Sequence, residues 1–489
     1  MLGFTLGLSM LGWLTSFAHG EEPYVLWATS GPVAWGAGAS AVSPAGELYV
    51  YPAWNSPIGM VQFDQTGKLV GTVELPGMDL GGLAFDAHGN RYMTGSATAT
   101  DALAASQPKG FFVSKHDPNG KLVWLRDAGE LEPSVTSGTV IVVDPQGSVY
   151  VGGRIGGPAT EGEYASGDND GMILQKYGKD GQLLWKCRFV HHNSGRWYGA
   201  TIRDLSVDPT GHVVICGFLS PGTTDFGSET LYPDSTGHSY DGDWFLARFK
   251  PDGNLEWVRL GYAKSVATDH SGNIYAAFGW AKDGTGGLVK LNPSGEVIWS
   301  RDFSPAYLAS SGGIAMDRND EPVFTGEFEG TMKLDKVTLR ARSPSWSDFF
   351  VAKVDAQGQV QWAMSGGGPE FDRGERVFCD SSGNIHLVGV VRKSTGNFDG
   401  WPLIPKAESP TLFAALISPT PALHIDRTAG VTFSWPAKAT NYVLESSSVL
   451  GPGKWALVLP ALITASSGRQ GFVPSFDAPV QVFRLSKSP

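Results

Sequence analysis

The sequence predicts an all-β chain: a seven-bladed β-propeller closed by its own N-terminal strand and followed by a small β-sandwich. Three observations lead there. Glycine supplies 64 of 489 residues, about 13 % against a usual share of roughly 7 %, and a mid-helix glycine costs about 1 kcal/mol relative to alanine, so a mostly helical chain is excluded. Hydrophobic residues make up 42 % of the chain and charged ones only 17 %, which excludes disorder. A short unit built on a tight turn recurs seven times, and self-similarity at a fixed period marks a repeat architecture.

Residues 1–20 carry no Asp, Glu, Lys or Arg, and Leu2 to Ala18 is apolar but for Thr5, Ser9, Thr15 and Ser16. Ala18 and Gly20, followed at once by Glu21 and Glu22, mark a cleavage site after Gly20, so 1–20 reads as a signal peptide. The lack of a Lys or Arg near Met1 leaves a retained anchor as the alternative. The mature chain is expected to be secreted, periplasmic or at the cell surface, with no membrane span after cleavage.

The first recurring unit is an apolar strand, an Asp-x-x-Gly turn and a second strand. Its copies include AFDAHGNRYMTG from Ala84, VVDPQGSVYVGG from Val142, SVDPTGHVVICG from Ser206 and FCDSSGNIHLVG from Phe378. The turn glycines are Gly46, Gly89, Gly147, Gly211, Gly272 and Gly383, with Asp320 in the sixth copy, and the spacing averages about 56 residues. The Asp accepts backbone N–H bonds and the Gly supplies the positive φ that lets the strands re-pair. A second unit alternates with the first and ends in Trp four residues after its glycine. VSKHDPNGKLVW (Lys115, Gly120, Trp124), LARFKPDGNLEW (Arg248, Gly253, Trp257) and VAKVDAQGQVQW (Lys353, Gly358, Trp362) are examples. Two hairpins per repeat make one four-stranded blade. The recurring Trp reads as inter-blade packing and the recurring Lys or Arg as strand-edge charge.

The seventh second-type unit is half present: LFAALIS from Leu412 matches its first strand, and Pro419 and Pro421 follow where a turn would stand. The missing half lies at the other end, where YVLWATSG (Tyr24 to Gly31) matches QVQWAMSG (Gln359 to Gly366). The N-terminal strand around Trp27 is therefore expected to complete the last blade and remove the free sheet edges.

These residues resemble the secreted bacterial beta-propeller (SBBP) repeat, with its pattern D-x-x-G-N-x-Y-x-x-G followed by F-V-A-K-x-D-x-x-G-x-x-x-W. DAHGNRYMTG from Asp86, DHSGNIY from Asp269 and FFVAKVDAQGQVQW from Phe349 carry the match, which spans about 24–418. The resemblance implies the fold and supplies no shared catalytic residues. The domain reading is thus a signal peptide at 1–20, a propeller at 21–419 and a β-sandwich at 420–489. In the last, SWPA from Ser434, YVLESS from Tyr442 and the final FRL resemble a fibronectin type III-like module.

The formal charge is −11, and the part before the tail carries all of the acidity, which argues against nucleic acid as a partner. Cys187, Cys216 and Cys379 are too few for a disulfide framework; they read as free thiols, with a Cys187–Cys216 bridge as the alternative.

Both turn types join strands 1 to 2 and 3 to 4, so they share one face of the disc. The connections on the opposite face are the long ones, and long loops on a rigid scaffold collect binding residues. A site is therefore expected on that face near the axis. The candidates are His191, His192, Arg196, Trp197 and Tyr198; Tyr232, Asp234, His238, Tyr240 and Asp241; and Glu370, Asp372, Arg373, Glu375 and Arg376. Aromatics beside carboxylates and arginines suit a glycan or protein ligand through stacking and bidentate hydrogen bonds. The competing reading makes them solvated loop residues and caps. GDNDG at Gly167 and YDGDW at Tyr240 lack the complete calcium-loop pattern, and Asp170, Asp243 and Asp348, each ahead of a third strand, read as caps. No metal, cofactor or catalytic residue is assigned. The expectation is a monomeric, non-catalytic binding or scaffold protein; the alternative is a propeller enzyme acting on polysaccharide, as lyase or glycoside hydrolase.

Overall fold

A computed structural model describes residues 23–487 apart from 35, 54–58, 76, 98–109, 129–134, 157–170, 194–198, 234–242, 262, 279–285, 304–309, 393–394, 406–408, 422–423, 427–431, 437, 448–454, 459–461, 467–468 and 475–481. The described residues are all-β, without an α-helix. None of them forms a helix long and apolar enough to cross a membrane.

Antiparallel sheets follow one another along the chain in a propeller-like arrangement. Sheet 1 holds Gly36–Val42, Leu48–Ala53, Met60–Phe63 and Leu69–Val73; sheet 2 holds Met78–Phe85, Arg91–Ala97, Gly110–His116 and Leu122–Asp127. Sheet 3 holds Val135–Val143, Val149–Gly156, Gly171–Tyr177 and Leu183–Asn193; sheet 4 holds Ala200–Val207, Val213–Leu219, Asp243–Phe249 and Leu255–Leu260. Sheet 5 holds Ser265–Thr268, Ile274–Phe278, Gly286–Leu291 and Val297–Phe303; sheet 6 holds Ser310–Met316, Pro322–Phe328, Asp348–Val354 and Val360–Gly366. Sheet 7 holds Arg373–Cys379, Ile385–Val391 and Thr411–Ser418, and its fourth strand is Tyr24–Val33, paired from Tyr24↔Ser418 to Val33↔Thr411. The first strand of each sheet packs beside that of the next, and the first strand of sheet 7 beside that of sheet 1.

The turns form for the reason their sequence suggests. In the copy at Asp86, the Gly89 N–H donates to the Asp86 carbonyl at 3.0 Å, while Asp86 Oδ1 accepts from the N–H groups of His88 and Asn90 at 3.0 and 2.9 Å. Gly89 has φ 80°, and Asp320, standing where the other copies have glycine, has φ 59°.

The second-type turn is also a socket for the neighbouring sheet. Indole N–H groups of Trp124, Trp185, Trp257 and Trp299 donate to carbonyls of Lys179, Pro251, Pro293 and Ala356, each in the turn of the following sheet, at 3.0–3.2 Å. Trp27 makes the same bond to Gln65 of sheet 1 at 2.8 Å. Each ring lies on the turn glycine: a Cβ on Gly253, where φ is +89°, would stand 2.9 Å from the Trp185 ring. Gly253→Ala is therefore expected to cost about 1–2 kcal/mol from the left-handed backbone alone and more from the ring contact, read as a lower melting temperature with the fold retained.

Burial between sheets follows the same logic. Phe349 and Trp362 of sheet 6 form one buried cluster with Leu387, Phe413 and Ile417 of sheet 7 and with Val25 of the N-terminal strand. The Phe349 and Phe413 rings stack at 4.4 Å.

Two features differ from the sequence reading. The recurring cations are not edge charges: Arg248 and Lys290 are buried, and Arg248 meets the turn carboxylate of Asp208 at 3.0 Å while Lys290 lies 4.8 Å above the Tyr275 ring. Second, three connections read as loops contain hairpins: Gly222–Asp225 with Thr230–Leu231, Thr331–Leu334 with Val337–Arg340, and Gly396–Phe398 with Trp401–Leu403. The first of them adds to the outer edge of sheet 3 through Val190↔Asp225, covering an otherwise open ladder. Cys187, Cys216 and Cys379 are free thiols, as read from the sequence, without the alternative Cys187–Cys216 bridge, and burial raises the pKa of each.

The tail forms two small sheets, one containing Thr432–Pro436 and Arg469–Phe472 and the other Tyr442–Ser447 and Val482–Lys487. Phe433, Trp435, Ala439, Leu444 and Phe472 make its core, and Tyr24 of the N-terminal strand is buried in the same cluster. Lys438 pairs with Asp399 at 3.1 Å, and Arg469 lies 4.4 Å over the Trp401 ring. Trp401 in turn donates to the Val25 carbonyl at 3.1 Å. The N-terminal strand is thus held by sheet 7 on one side and by the tail on another.

Candidate functional site

A funnel of about 640 Å³ opens on the face opposite the Asp-x-x-Gly turns. Its wall comes from the beginnings of first strands: Gly38, Asp79, Gly81, Ser137 to Thr139, Thr201 to Arg203, and Arg376, with Tyr51 and Pro52 from a second strand. Below it a narrower space of about 200 Å³ runs between the first strands of all seven sheets.

Local backbone irregularity decides what enters this space. In sheets 2, 3, 4 and 7 the pairing of the first strand slips once, at Leu80/Gly82, Gly138/Val140, Ile202/Asp204 and Gly374/Arg376. The residue at the slip is left without a ladder partner: Gly81, Thr139, Arg203 and Glu375. Each stands five residues ahead of the Asp that opens its turn. In sheet 2 this position must be bare, since a Cβ on Gly81 would meet the Gly138 carbonyl oxygen at 2.0 Å.

The polar side chains here join sheet to sheet. Thr139 Oγ1 donates to the Ile202 carbonyl at 2.7 Å, linking sheets 3 and 4. Asp204 accepts from Ser265 Oγ at 2.5 Å and from the Val266 N–H at 3.0 Å, linking 4 and 5. Ser265 Oγ accepts from the Ile314 N–H at 3.2 Å, linking 5 and 6, and Glu375 accepts from the Ala37 N–H, linking 7 and 1. Burial raises the Asp204 pKa, opposed by the positive charge of Arg376 and by these hydrogen bonds. Burial and the like charge of Arg376 lower that of Arg203, whose side chain is nevertheless exposed to the funnel's solvent.

Of the sequence candidates, Arg376 lines the funnel, and Arg373 pairs with Glu375 beside it. Glu370 is half-buried. Asp372 is fully buried and accepts N–H bonds from Gly368 and Arg392. His191 is also fully buried, with its ring nitrogens 2.8 Å from Thr224 Oγ1 and Ser220 Oγ; burial holds its pKa down at about 4. It sits in a strand that continues to Asn193 and its side chain is enclosed by protein. His192 and Tyr232 are exposed. Arg196, Trp197, Tyr198, Asp234, His238, Tyr240 and Asp241 lie outside the described residues, as do GDNDG up to Asp170 and residues 1–20. Asp243 and Asp348 begin third strands, and Asp348 accepts the Arg342 N–H at 3.2 Å in the manner of a cap. Sequence reasoning missed Arg203 and Asp204, whose only signal is their distance from the turn Asp.

Fold and site define an all-β, propeller-like protein with an open funnel at the first strands of its sheets. No protein-family model matches the chain, and no curated protein does. Among solved structures it is similar to a protein of unknown function from Bacteroides caccae, with TM-score 0.37 and 13 % identity over 68 % of this chain and 94 % of that one. It is also similar to the calcium-binding protein regucalcin from Agrobacterium tumefaciens, with TM-score 0.35 and 13 % identity over 62 % and 85 %, and to puromycin hydrolase, with TM-score 0.43 and 13 % identity over 83 % and 59 %. These overlaps are too loose to bear on activity.

Proposed function

We propose that the chain is an exported, monomeric, non-catalytic binding protein that receives a glycan or protein ligand in the axial funnel of its long-loop face. In this reading the seven sheets are the blades of one ring closed by the N-terminal strand, an SBBP-type propeller, and 420–489 is a fibronectin type III-like attachment module. Trp27 supports the closure, because it docks on the Gln65 turn as the fourth-strand tryptophans dock on the turns that follow them. The uncharged apolar run at 1–20 supports export.

The observation that carries the binding reading is the funnel itself, of a size usual for small-ligand sites and walled by polar side chains. The alternative, a polysaccharide-cleaving enzyme, needs two accessible carboxylates about 5 to 9.5 Å apart. Asp204 and Glu375 are engaged by hydroxyl and backbone donors, and Asp348 and Asp372 are buried away from the funnel, which favours binding over turnover. The test is retention of the chain on arrays of surface glycans and envelope proteins, with Thr201→Trp and Ser137→Trp as funnel-filling variants of unchanged melting temperature. Loss of at least tenfold in affinity is expected for both. Unaffected binding would remove the funnel from the reading, and release of shortened saccharide would replace it with the enzyme.

A further inference from the structure

Sheets 1 to 6 each carry a second-type turn facing the fourth strand of the sheet before. Five of these turns are covered by an indole: Trp27, Trp124, Trp185, Trp257 and Trp299 each lie on a turn glycine and donate to the carbonyl two residues ahead of it. The turn of sheet 2 has no such cover, because sheet 1 carries Gly71 where the other fourth strands carry tryptophan. Among the described residues, nothing lies within 4 Å of where a Gly71 Cβ would stand. Gly120 in the sheet 2 turn is exposed, whereas the five covered glycines, from Gly67 to Gly358, are buried or half-buried. A Cβ on Gly120 would meet only Arg91, at 3.6 Å from its Nη2, and Arg91 Nε is buried without a hydrogen-bond partner.

The strand beside this uncovered turn is an open edge. Leu69–Val73 ends its sheet and pairs only with Met60–Phe63. The extra hairpins guard the other outer strands: the first lies against those of sheets 3 and 4, the second against those of sheets 5 and 6, and the third against that of sheet 7. Of the two left, the outer strand of sheet 2 carries Arg126 and Asp127, and charge is a usual guard of a free edge. That of sheet 1, LVGTV, carries no charge between Lys68 and Glu74 and exposes Leu69 and Val70.

We infer that a partner protein adds an extended segment to the Leu69–Val73 edge and sets a tryptophan against Gly71, its ring covering the Gly120 turn and stacking on Arg91. An added strand takes its affinity from main-chain hydrogen bonds and its specificity from side-chain pockets, and an aromatic opposite an edge glycine covers the bare backbone there. The five filled sockets define the aromatic, since each holds an indole whose N–H reaches a turn carbonyl; in sheet 2 the corresponding carbonyl is that of Pro118. In three of them an arginine lies 4.5–5.9 Å from the ring centre, the contact that Arg91 offers an incoming ring. A partner carboxylate would pair with Arg91 and leave the turn uncovered. This surface lies on the rim of the molecule and is independent of the funnel.

The experiment titrates the whole chain with three lysine-capped nonapeptides of alternating threonine and valine, bearing tryptophan, alanine or glutamate at the centre. The tryptophan peptide is expected to bind about tenfold or more tighter than the other two, the factor that burial of one large side chain supplies, and to slow amide exchange at Leu69–Val73. Gly71→Trp, at a glycine without a positive φ, fills the socket from within and is expected to raise the melting temperature and abolish the preference. Should that variant fail to fold, amide exchange in the parent chain decides. Equal affinity for the three peptides, no binding of any, tightest binding of the glutamate peptide, a preference that survives Gly71→Trp, or protection that falls outside Leu69–Val73 would each overturn the inference. A parent chain that dimerises where Gly71→Trp stays monomeric would replace the foreign strand with a second copy of this chain.

Discussion

A chain beginning at Ala34, without the strand Tyr24–Val33, is expected to lose its folded state, and the same strand added as a peptide is expected to restore part of it. That strand buries Tyr24, Val25, Trp27 and Ala28. Its pairing with Thr411–Ser418 completes sheet 7, and its Trp27 indole closes on the sheet 1 turn. Burying large side chains is worth about 1.5–3 kcal/mol each. With the ladder bonds, removal therefore costs on the order of 10 kcal/mol, comparable to the whole stability of a typical domain. It also leaves the Thr411–Ser418 strand as an open hydrophobic edge and takes Tyr24 out of the tail's core. Circular dichroism and sedimentation of the truncated chain would report unfolding or aggregation. A covalent check is the pair Thr29→Cys with Ala414→Cys, which face each other in the ladder. A bridge that forms in the folded chain and raises its melting temperature is the expected result. A truncated chain melting where the intact one does would show that sheet 7 needs no fourth strand.

The part of this architecture legible in the sequence is the part with a local cause. Asp-x-x-Gly is readable because the carboxylate, the two N–H groups it accepts from and the positive-φ glycine lie within five residues. The Trp27 segment is readable because it copies the Trp362 segment, whose place in a sheet the repeat already defines. The hairpin at Asp399–Gly400 carries a legible Asp-Gly signal, with φ of 48° and 89°, but its strands are only three residues each. The hairpin at Asp335 carries none, since Asp335 itself takes the positive φ of 50° beside Lys336.

The funnel was harder for a physical reason. Whether Arg203 faces the axis depends on a one-residue slip between two strands, and a one-residue slip turns a side chain to the opposite face. Composition is blind to that. Counting five residues back from each turn Asp would have found the position, because the slip recurs at the same distance in sheets 2, 3, 4 and 7. His191 fails in the opposite sense. Beside His192 it looks like a loop histidine, yet its strand runs eleven residues and buries it against Thr224 and Ser220.

The pair Asp348 and Asp372 is expected to make the folded chain less stable as pH rises from about 4 to 7, and Asp348→Asn to flatten that dependence. Both carboxyls are buried. A Cβ on Gly367 would stand 2.6 Å from Asp372 Oδ2 and 2.8 Å from Asp348 Oδ1, so the two oxygens flank one small space. Burial pushes the Asp348 pKa up to about 6, against the Arg342 N–H bond and charge. Burial and then the charge of Asp348 push Asp372 up to about 7, against the N–H bonds from Gly368 and Arg392 and the charge of Arg342. A carboxyl whose pKa is raised in the folded state contributes stability that is fully present below its unfolded value near 3.9 and is lost as pH climbs through the folded one. The loss therefore begins near the unfolded value, about pH 4, and is complete once pH has passed the folded values of about 6 and about 7; its size is on the order of a few kcal/mol. Asp348 Oδ1 has no hydrogen-bond partner. An asparagine there would put its carbonyl oxygen where Asp348 Oδ2 accepts the Arg342 N–H and its amide where Oδ1 faces Asp372, supplying permanently the donor that a proton supplies only at low pH. Melting curves at about pH 4, 5, 6 and 7 for both chains decide it. A stability that rises across that window, or an Asp348→Asn chain that follows the same slope as its parent, would mean that the two carboxyls ionise without cost.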